Sequence, residues 1–250
     1  MTTPNARNDL TILTHAVLIG LTPLIPIPFV DDAAQSYLQQ RMVQDLARQH
    51  GLAIAPQVVS ILLEGREGCV GSAGGCLAEM VLYPIKKISR KVLYFLEWHR
   101  AVNLVTHAYY YGFLLDVALQ AGWLSTNTPE TAARVRGAIE RTRHGANTRL
   151  LQMVVANAFR ESSGRIKETA GTLAEGLKSL TRRSSAQEVG SAFEKQNRQV
   201  ERSLGGIVAQ LRDGVLALPA EHFERLQKQF YEEYARVETT GGDGGLADRG

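Results

Sequence analysis

The sequence predicts an all-α protein, a helical bundle with a long antiparallel helical hairpin extension. An apolar run is closed by prolines, an amphipathic segment with four-residue spacing follows, and two later stretches share an eleven-residue apolar period. Spacings of three and four residues are typical of one face of a helix. The predicted units are an apolar helical domain over residues 1–123, the hairpin extension over 129–238 and a disordered tail over 239–250.

The composition argues against several function classes. The 250 residues carry 28 basic and 25 acidic side chains, a balance that does not suggest a dedicated nucleic-acid binder. The two cysteines have no matching histidine set for zinc, and no catalytic motif is found among the serines and histidines. The sequence therefore predicts no metal, no cofactor and no enzymatic activity. The N-terminal residues also lack the pattern of a cleavable signal peptide.

Helix one is predicted from Asp9 to Thr22, and its apolar run contains no further charged side chain except histidine. A helix that is apolar on nearly all sides lies either in a protein core or in lipid. At about 14 residues, or about 21 Å, it is too short for roughly 30 Å of hydrocarbon. The prolines that follow predict a rigid apolar corner, because each removes a backbone donor and disfavours helix in the preceding residue.

Helix two is predicted to begin with Asp31 as its N-cap, and Asp32 complements the helix dipole. The two acids are adjacent and do not face each other on a helix, so they make a poor acid/base pair. Gly51 is predicted to end the helix in the left-handed conformation, and a short helix follows over residues 55–63. The glycine-rich residues 65–75 match no phosphate-loop pattern and predict a flexible or closely packed contact.

A long helix is predicted from Ile85 to Ala121, ended by Gly122. Near its start, from Lys86 to Arg100, five basic side chains oppose a single acid. Such a stripe suits an anionic membrane surface, and a solvated helix face explains it equally well.

Three polar residues, Asn103, Thr106 and His107, interrupt the most apolar part of this helix. A buried polar cluster needs hydrogen-bonding partners. The sequence predicts that the three side chains either bond to helix one or two or form a ligand site.

The second half is predicted to begin at Thr128 and Pro129, as N-cap and first helical residue of a short basic helix. Residues 151–180 and 189–218 then repeat identical apolar spacings with an eleven-residue period, which is typical of straight or right-handed seams. The short polar linker 181–187 favours an antiparallel hairpin, and an amphipathic helix on a membrane surface is the alternative. A last amphipathic helix is predicted over residues 219–237.

The run Pro26-Ile-Pro28-Phe-Val-Asp31, with Gln39-Gln40-Arg41-Met42 and Leu46 before Gly51, resembles the start of the bacterial DUF697/YcjF-type family. Leu82-Tyr-Pro84-Ile and Thr106-His-Ala-Tyr-Tyr-Tyr-Gly112 are similar to that family's second proline and its small-residue helix before glycine. The resemblance covers residues 9–122. It implies an all-helical, inner-membrane-associated domain, often attached to or encoded with small GTPases, with no established activity. The chain has no GTPase motif, so a GTPase would be a separate partner.

Together these patterns predict a non-enzymatic, membrane-associated helical module that binds anionic lipid or a protein partner, with a GTPase as one candidate. Its predicted location is the cytoplasmic side of the bacterial inner membrane, or otherwise the cytoplasm. The alternative is a soluble scaffold that forms homo-oligomers through the eleven-residue seams, and an enzyme with a site near Asn103 and His107 is a third hypothesis. The predicted membrane or partner contacts are Leu18, Ile19, Pro26, Pro28, Phe29, Lys86, Lys87, Arg90 and Lys91.

Overall fold

The computed structural model describes residues 6–25, 30–64, 90–177 and 186–240. Within these ranges the chain forms nine α-helices and one 3-10 turn, and no strand, so the predicted all-α class is confirmed. The elements are α1 (Ala6–Leu21), the 3-10 turn (Thr22–Leu24), α2 (Val30–Gln49), α3 (Pro56–Leu63), α4 (Arg90–Gln120), α5 (Pro129–Gly145), α6 (Arg149–Glu161), α7 (Ser163–Leu177), α8 (Ala186–Leu216) and α9 (Ala220–Thr240).

Three predicted helix ends are confirmed in their capping geometry. Gly51 and Gly122 follow α2 and α4 with φ angles of 71° and 72°. After each glycine a backbone N–H returns to the carbonyl five residues earlier, as in Leu52 to Ala47 at 2.9 Å, which is the Schellman arrangement. At the start of α5, the side chain of Thr128 accepts a hydrogen bond from the Thr131 backbone N–H. These ends are set by local chemistry.

The centre of the fold is α4. Every position from Ala108 to Leu119 is buried. A helix that is buried all round is apolar all round. Three consecutive tyrosines on α4 reach three different elements: the Tyr109 hydroxyl bonds Asp9 of α1, that of Tyr110 bonds His222 of α9 at 2.7 Å, and that of Tyr111 donates to the Leu62 carbonyl of α3 at 3.1 Å. Helix α4 therefore ties together both halves of the chain.

Helix α1 runs antiparallel to α4 inside the core. Near one end, Gly20 lies against Ala101 and Val105, and at the other Gly112 lies against Ile12. A methyl group on Gly20 would overlap Val105 and lie 3.0 Å from the Ala101 carbonyl oxygen, so the two backbones approach closely because this position has no side chain. The choice that the sequence left open is settled within the described structure, where α1 is a core helix.

The eleven-residue seams face the interior of the chain. Every seam position of which the side chain is described is buried, except the half-buried Leu218. Helices α6 and α7 both pack on α8, and α8 also packs on α1 and α2. The linker of the predicted hairpin lies within residues 178–185, outside the described residues, so the antiparallel hairpin stays a prediction. Residues of both predicted domains contribute to one continuous cluster of buried side chains.

Two predicted boundaries differ from the structure. Helix α2 begins at Val30, so Asp31 is in the first turn rather than at the N-cap; such ends commonly shift by one or two residues. The predicted helix over 151–180 is broken at Ser162, where the ψ angle is 15°. The Ser162 hydroxyl donates to Gln210 of α8 at 3.0 Å, and two residues of low helix propensity follow, Ser163 and Gly164.

Candidate functional site

Two of the predicted membrane contacts are interior residues. Leu18 and Ile19 of α1 have exposed fractions of 8% and 1%, so in this structure neither presents a surface to lipid or to a partner. Their apolar character serves the packing of α1 on its neighbours. Five of the other predicted contacts lie outside the residues that the structure describes: Pro26, Pro28, Phe29, Lys86 and Lys87. Three predicted residues are described by their backbone only, and their side chains are outside the description: Arg90, Lys91 and the predicted cap Asp31.

The described residues that flank those predicted contacts lie at one end of the bundle. Because α1 and α4 are antiparallel, the 3-10 turn that leads into the proline corner packs on the first half of α4. In the same region, Trp98 of α4 packs edge-on against Phe159 of α6, with ring centroids 5.6 Å apart. We call the 3-10 turn, residues 90–100 and Phe159 the α4 N-terminal end. Here His99 and Arg100 are exposed.

The predicted polar residues on α4 differ in burial and in hydrogen-bond partners. Thr106 is fully buried and donates to the carbonyl of Val102 in its own helix at 2.9 Å. Asn103 accepts a hydrogen bond from Gln152 of α6 at 3.1 Å, rather than from helix one or two, and His107 is half-buried. The predicted bonding to helix one or two is therefore wrong for Asn103 and Thr106.

A different polar cluster lies further along α4, around Asp116. This side chain is 1% exposed and accepts two hydrogen bonds of 2.7 Å, from Nε2 of His50 and from Nε2 of Gln120. His50 is the last residue before Gly51, so the Schellman end of α2 aims its imidazole at α4. A buried carboxylate needs such donors, because an unpaired one is costly in a low dielectric.

Asp9 of α1 completes this buried acid cluster, which consists of Asp9, His50, Tyr109, Asp116 and Gln120. Burial, with the charge of Asp116 as a second cause, raises the pKa of Asp9 to about 6; Arg212 and the hydrogen bond from Tyr109 act in the opposite direction. Oδ1 of Asp9 is buried and has no hydrogen-bond partner among the described residues. Burial also raises the pKa of the Tyr109 phenol well above its ordinary range. The cluster holds two carboxyl groups in one part of the core.

A charged network continues from this cluster along α1 and α2. Asp45 is bonded by His15 at 3.3 Å, by Arg41 at 3.3 Å and by Arg48 at 2.6 Å, and Arg41 also reaches Glu194 of α8 at 2.7 Å. Burial acts to raise the pKa of Asp45, but the hydrogen bond and charge of His15, with the charges of Arg41 and Arg48, together outweigh it, so this pKa is lowered. The surroundings of Asp45 therefore favour its carboxylate form, whereas those of Asp9 disfavour it.

The second buried histidine is His222, at the start of α9. It is 7% exposed, its Nε2 lies 2.7 Å from the Tyr110 hydroxyl, and its ring packs between Tyr110 and Phe223. Burial lowers the pKa of His222, and the nearby charge of Arg225 adds to this. Neutral imidazole can accept from Tyr110, whereas imidazolium cannot. This pair attaches α9 to the middle of α4.

Sequence reasoning missed the buried acid cluster, although one signal was present. Asp116 is the only acid in the otherwise apolar stretch from Ala108 to Leu119, and a lone acid in a buried run needs a partner. The partner itself could not be found from spacing, since His50 is 66 positions away.

Neither a metal site nor a membrane-spanning helix is found in the part of the chain that the structure describes. No group of three or more His, Cys, Asp or Glu residues there could hold a metal ion. None of the helices there combines the length and the apolar character needed to cross a membrane. Comparisons with protein-family models, curated proteins and solved structures find no match for this chain, and the resemblance to the DUF697/YcjF-type family stays a prediction.

Proposed function

We propose that the chain is a non-enzymatic helical module that docks on an anionic membrane surface through its α4 N-terminal end. The supporting observation is the antiparallel packing of α1 on α4. Ile25 follows the 3-10 turn and precedes the proline corner, and this turn packs on α4, which begins at Arg90. An apolar corner and a basic run that act together need this proximity.

The charge pattern supports an anionic surface. Lys86, Lys87, Arg90 and Lys91 are followed by the exposed Arg100, and Glu97 is the only acid between residues 86 and 100. Basic residues near an anionic membrane surface contribute about 1 kcal/mol each, and this attraction falls off within a Debye length of about 8–10 Å. Peripheral docking therefore does not require α1, which is in the core, to leave its position.

The alternative, a soluble scaffold that oligomerises through the eleven-residue seams, has less support. Leu173 and Leu211, near the centres of the two seams, are 1% and 0% exposed within a single chain. Surfaces that are already buried cannot also form an interface without unfolding. A homo-oligomer would need another face of the molecule.

The test is flotation of the full chain with vesicles of neutral phosphatidylcholine, with and without added phosphatidylserine. We expect flotation with the anionic vesicles only, and loss of this binding as salt is raised. The double variant K86E/K87E, which changes the charge by four units, should reduce binding by at least tenfold.

The matched control is R225E/K228E, which changes the charge equally at two exposed positions of α9. It should bind nearly as well as the natural chain. Equal loss in both variants would mean that only net charge matters, and no flotation at any salt concentration would overturn the proposal and favour an acidic protein partner. In membrane fractions of cells that express the protein, retention through washes with both high salt and alkaline carbonate would contradict peripheral docking, since it would require insertion.

A further inference from the structure

We propose that the buried acid cluster makes the packing of the first turns of α1 pH-sensitive: one proton taken up by Asp9 tightens their contact with α4 and α8. This goes beyond the proposed docking function and does not depend on it. It rests on the arrangement of Asp9 and its described neighbours on α2, α4 and α8.

The first step is the environment of the Asp9 carboxyl group. One oxygen receives the hydrogen bond of Tyr109, the phenol of which is buried in the core, and the other oxygen, Oδ1, is buried without a hydrogen-bond partner among the described residues. A buried anionic oxygen that lacks a donor is destabilising. Protonation removes the charge and turns the group into a donor.

The second step is that Asp116 cannot move away. Its two oxygens are held by His50 of α2 and Gln120 of α4, each at 2.7 Å, and it lies in the middle of the most buried stretch of the fold. The repulsion between the two carboxylates must therefore be relieved at Asp9. That residue is in the first turn of α1, where a helix opens at the lowest cost.

Each helix that packs on α1 brings charged or titratable groups towards Asp9. Helix α4 brings Asp116 and Tyr109, and α8 brings Arg212, which favours the carboxylate. Helix α2 brings His50, bonded to Asp116, and one turn earlier Asp45, which is in contact with Arg41, Arg48 and His15. The 3-10 turn carries no charged residue. Burial and the charge of Asp116 raise the pKa of Asp9, whereas Arg212 and the hydrogen bond from Tyr109 lower it. The first two effects are larger, so this pKa is about 6.

The size of the effect follows from linkage. The carboxyl of Asp9 has a pKa of about 6 when packed, against 3.8 ordinarily; an opened α1 turn would restore the ordinary value. The packed form then binds the proton more tightly, so opening becomes more favourable as pH rises, by about tenfold between pH 5 and pH 7.5. This pH dependence has the opposite sign to that of an acid in a salt bridge, which stabilises the packed form as pH rises.

Two measurements test this on the full chain. Carboxyl-carbon NMR should show that Asp9 titrates with a midpoint near pH 6. Hydrogen exchange, expressed as protection factors to remove the intrinsic pH effect, should show about tenfold lower protection of the amides of residues 10–15 at pH 7.5 than at pH 5. In D9N this difference should disappear, whereas the control D213N, at an exposed acid of α8, should keep it.

The inference is overturned if Asp9 titrates near pH 4, or if protection of α1 is equal at the two pH values in the natural chain. Persistence of the full pH difference in D9N would also overturn it. The NMR titration needs no variant, so the test remains decisive if D9N does not fold. Neither measurement involves vesicles, and failure here would leave the docking proposal unaffected.

Discussion

Nε2 of His50, at the end of α2, lies 2.7 Å from Oδ1 of Asp116, in the middle of α4. This contact joins residues 66 positions apart and satisfies a carboxylate that is almost fully buried. It is the clearest case in this chain in which a helix cap positions a side chain for a distant partner.

Replacement of Asp116 by alanine should therefore destabilise the fold. The change removes the acceptor of His50, whose side chain is 18% exposed, and the loss of a buried hydrogen bond that leaves one partner unsatisfied costs about 1–3 kcal/mol. Urea unfolding at pH 5 is the appropriate measurement, because there Asp9 is mostly protonated and relief of its repulsion contributes little. The exposed Asp213 provides the control, and D213A should change stability by less than about 0.5 kcal/mol.

The contact of His222 with Tyr110 should make stability fall in acid. The pKa of His222 is below its ordinary value of 6.5 in the folded chain, so as pH falls through 6.5 the unfolded chain takes up the proton first. The contribution of neutral His222 is thus present above pH 6.5 and is lost below it. The urea midpoints of the natural chain and H222Q should converge between pH 7.5 and 5.5. H99Q, at an exposed histidine, should show no such convergence; a constant gap for H222Q would refute the prediction.

The close approach of α1 and α4 predicts opposite effects for two Gly→Ala changes. G20A would put a methyl group into Val105 and should cost about 1–3 kcal/mol through overpacking. Gly171 of α7 has open space where a Cβ would be, so G171A should be neutral or stabilise by up to about 1 kcal/mol. Thermal unfolding of the two variants measures both. Similar gains in both variants would mean that helix propensity, and not packing, controls these sites.

The buried seams predict unfolding, not dissociation, when they are disrupted. L211D puts an acid at a fully buried position, and burial of an unpaired charge costs several kcal/mol. Leu216, in the same helix but 65% exposed, is the control, and L216D should be nearly silent. Circular dichroism with light scattering distinguishes the outcomes. A folded L211D chain of lower mass than the natural protein would favour the oligomeric scaffold.

Features that depend on neighbouring residues could be predicted from the sequence. The glycine ends of α2 and α4 and the Thr128 cap follow from local chemistry, and the seam spacing correctly indicates which positions of α6, α7 and α8 are buried. The break at Ser162 was not predicted; local patterns do not show the hydrogen bond that Ser162 makes there to Gln210 of a later helix.

The candidate sites were harder to predict from the sequence, because they too depend on residues that are distant in the chain. The sequence of an apolar helix such as α1 is equally consistent with a core helix and with a membrane contact. The packing of α1 on α4 makes it a core helix in this structure. Asn103, Thr106 and His107 were predicted to bond to helix one or two or to form a ligand site, whereas two residues of α4 that do bond to those two helices are Tyr109 and Asp116. The sequence shows the positive charge of Lys86 and Lys87, but it does not show which surface or partner this charge would bind.

In the folded chain the hydroxyl of Tyr110 on α4 bonds His222, which lies 112 positions later. Synthesis of those positions takes about 5–20 s at a rate of about 5–20 residues per second. During that interval α4 lacks the ring contacts that Tyr109 and Phe113 make with Phe223 of α9. We expect the nascent chain to depend on ribosome-associated chaperones over this interval, and chains truncated before α9 to aggregate.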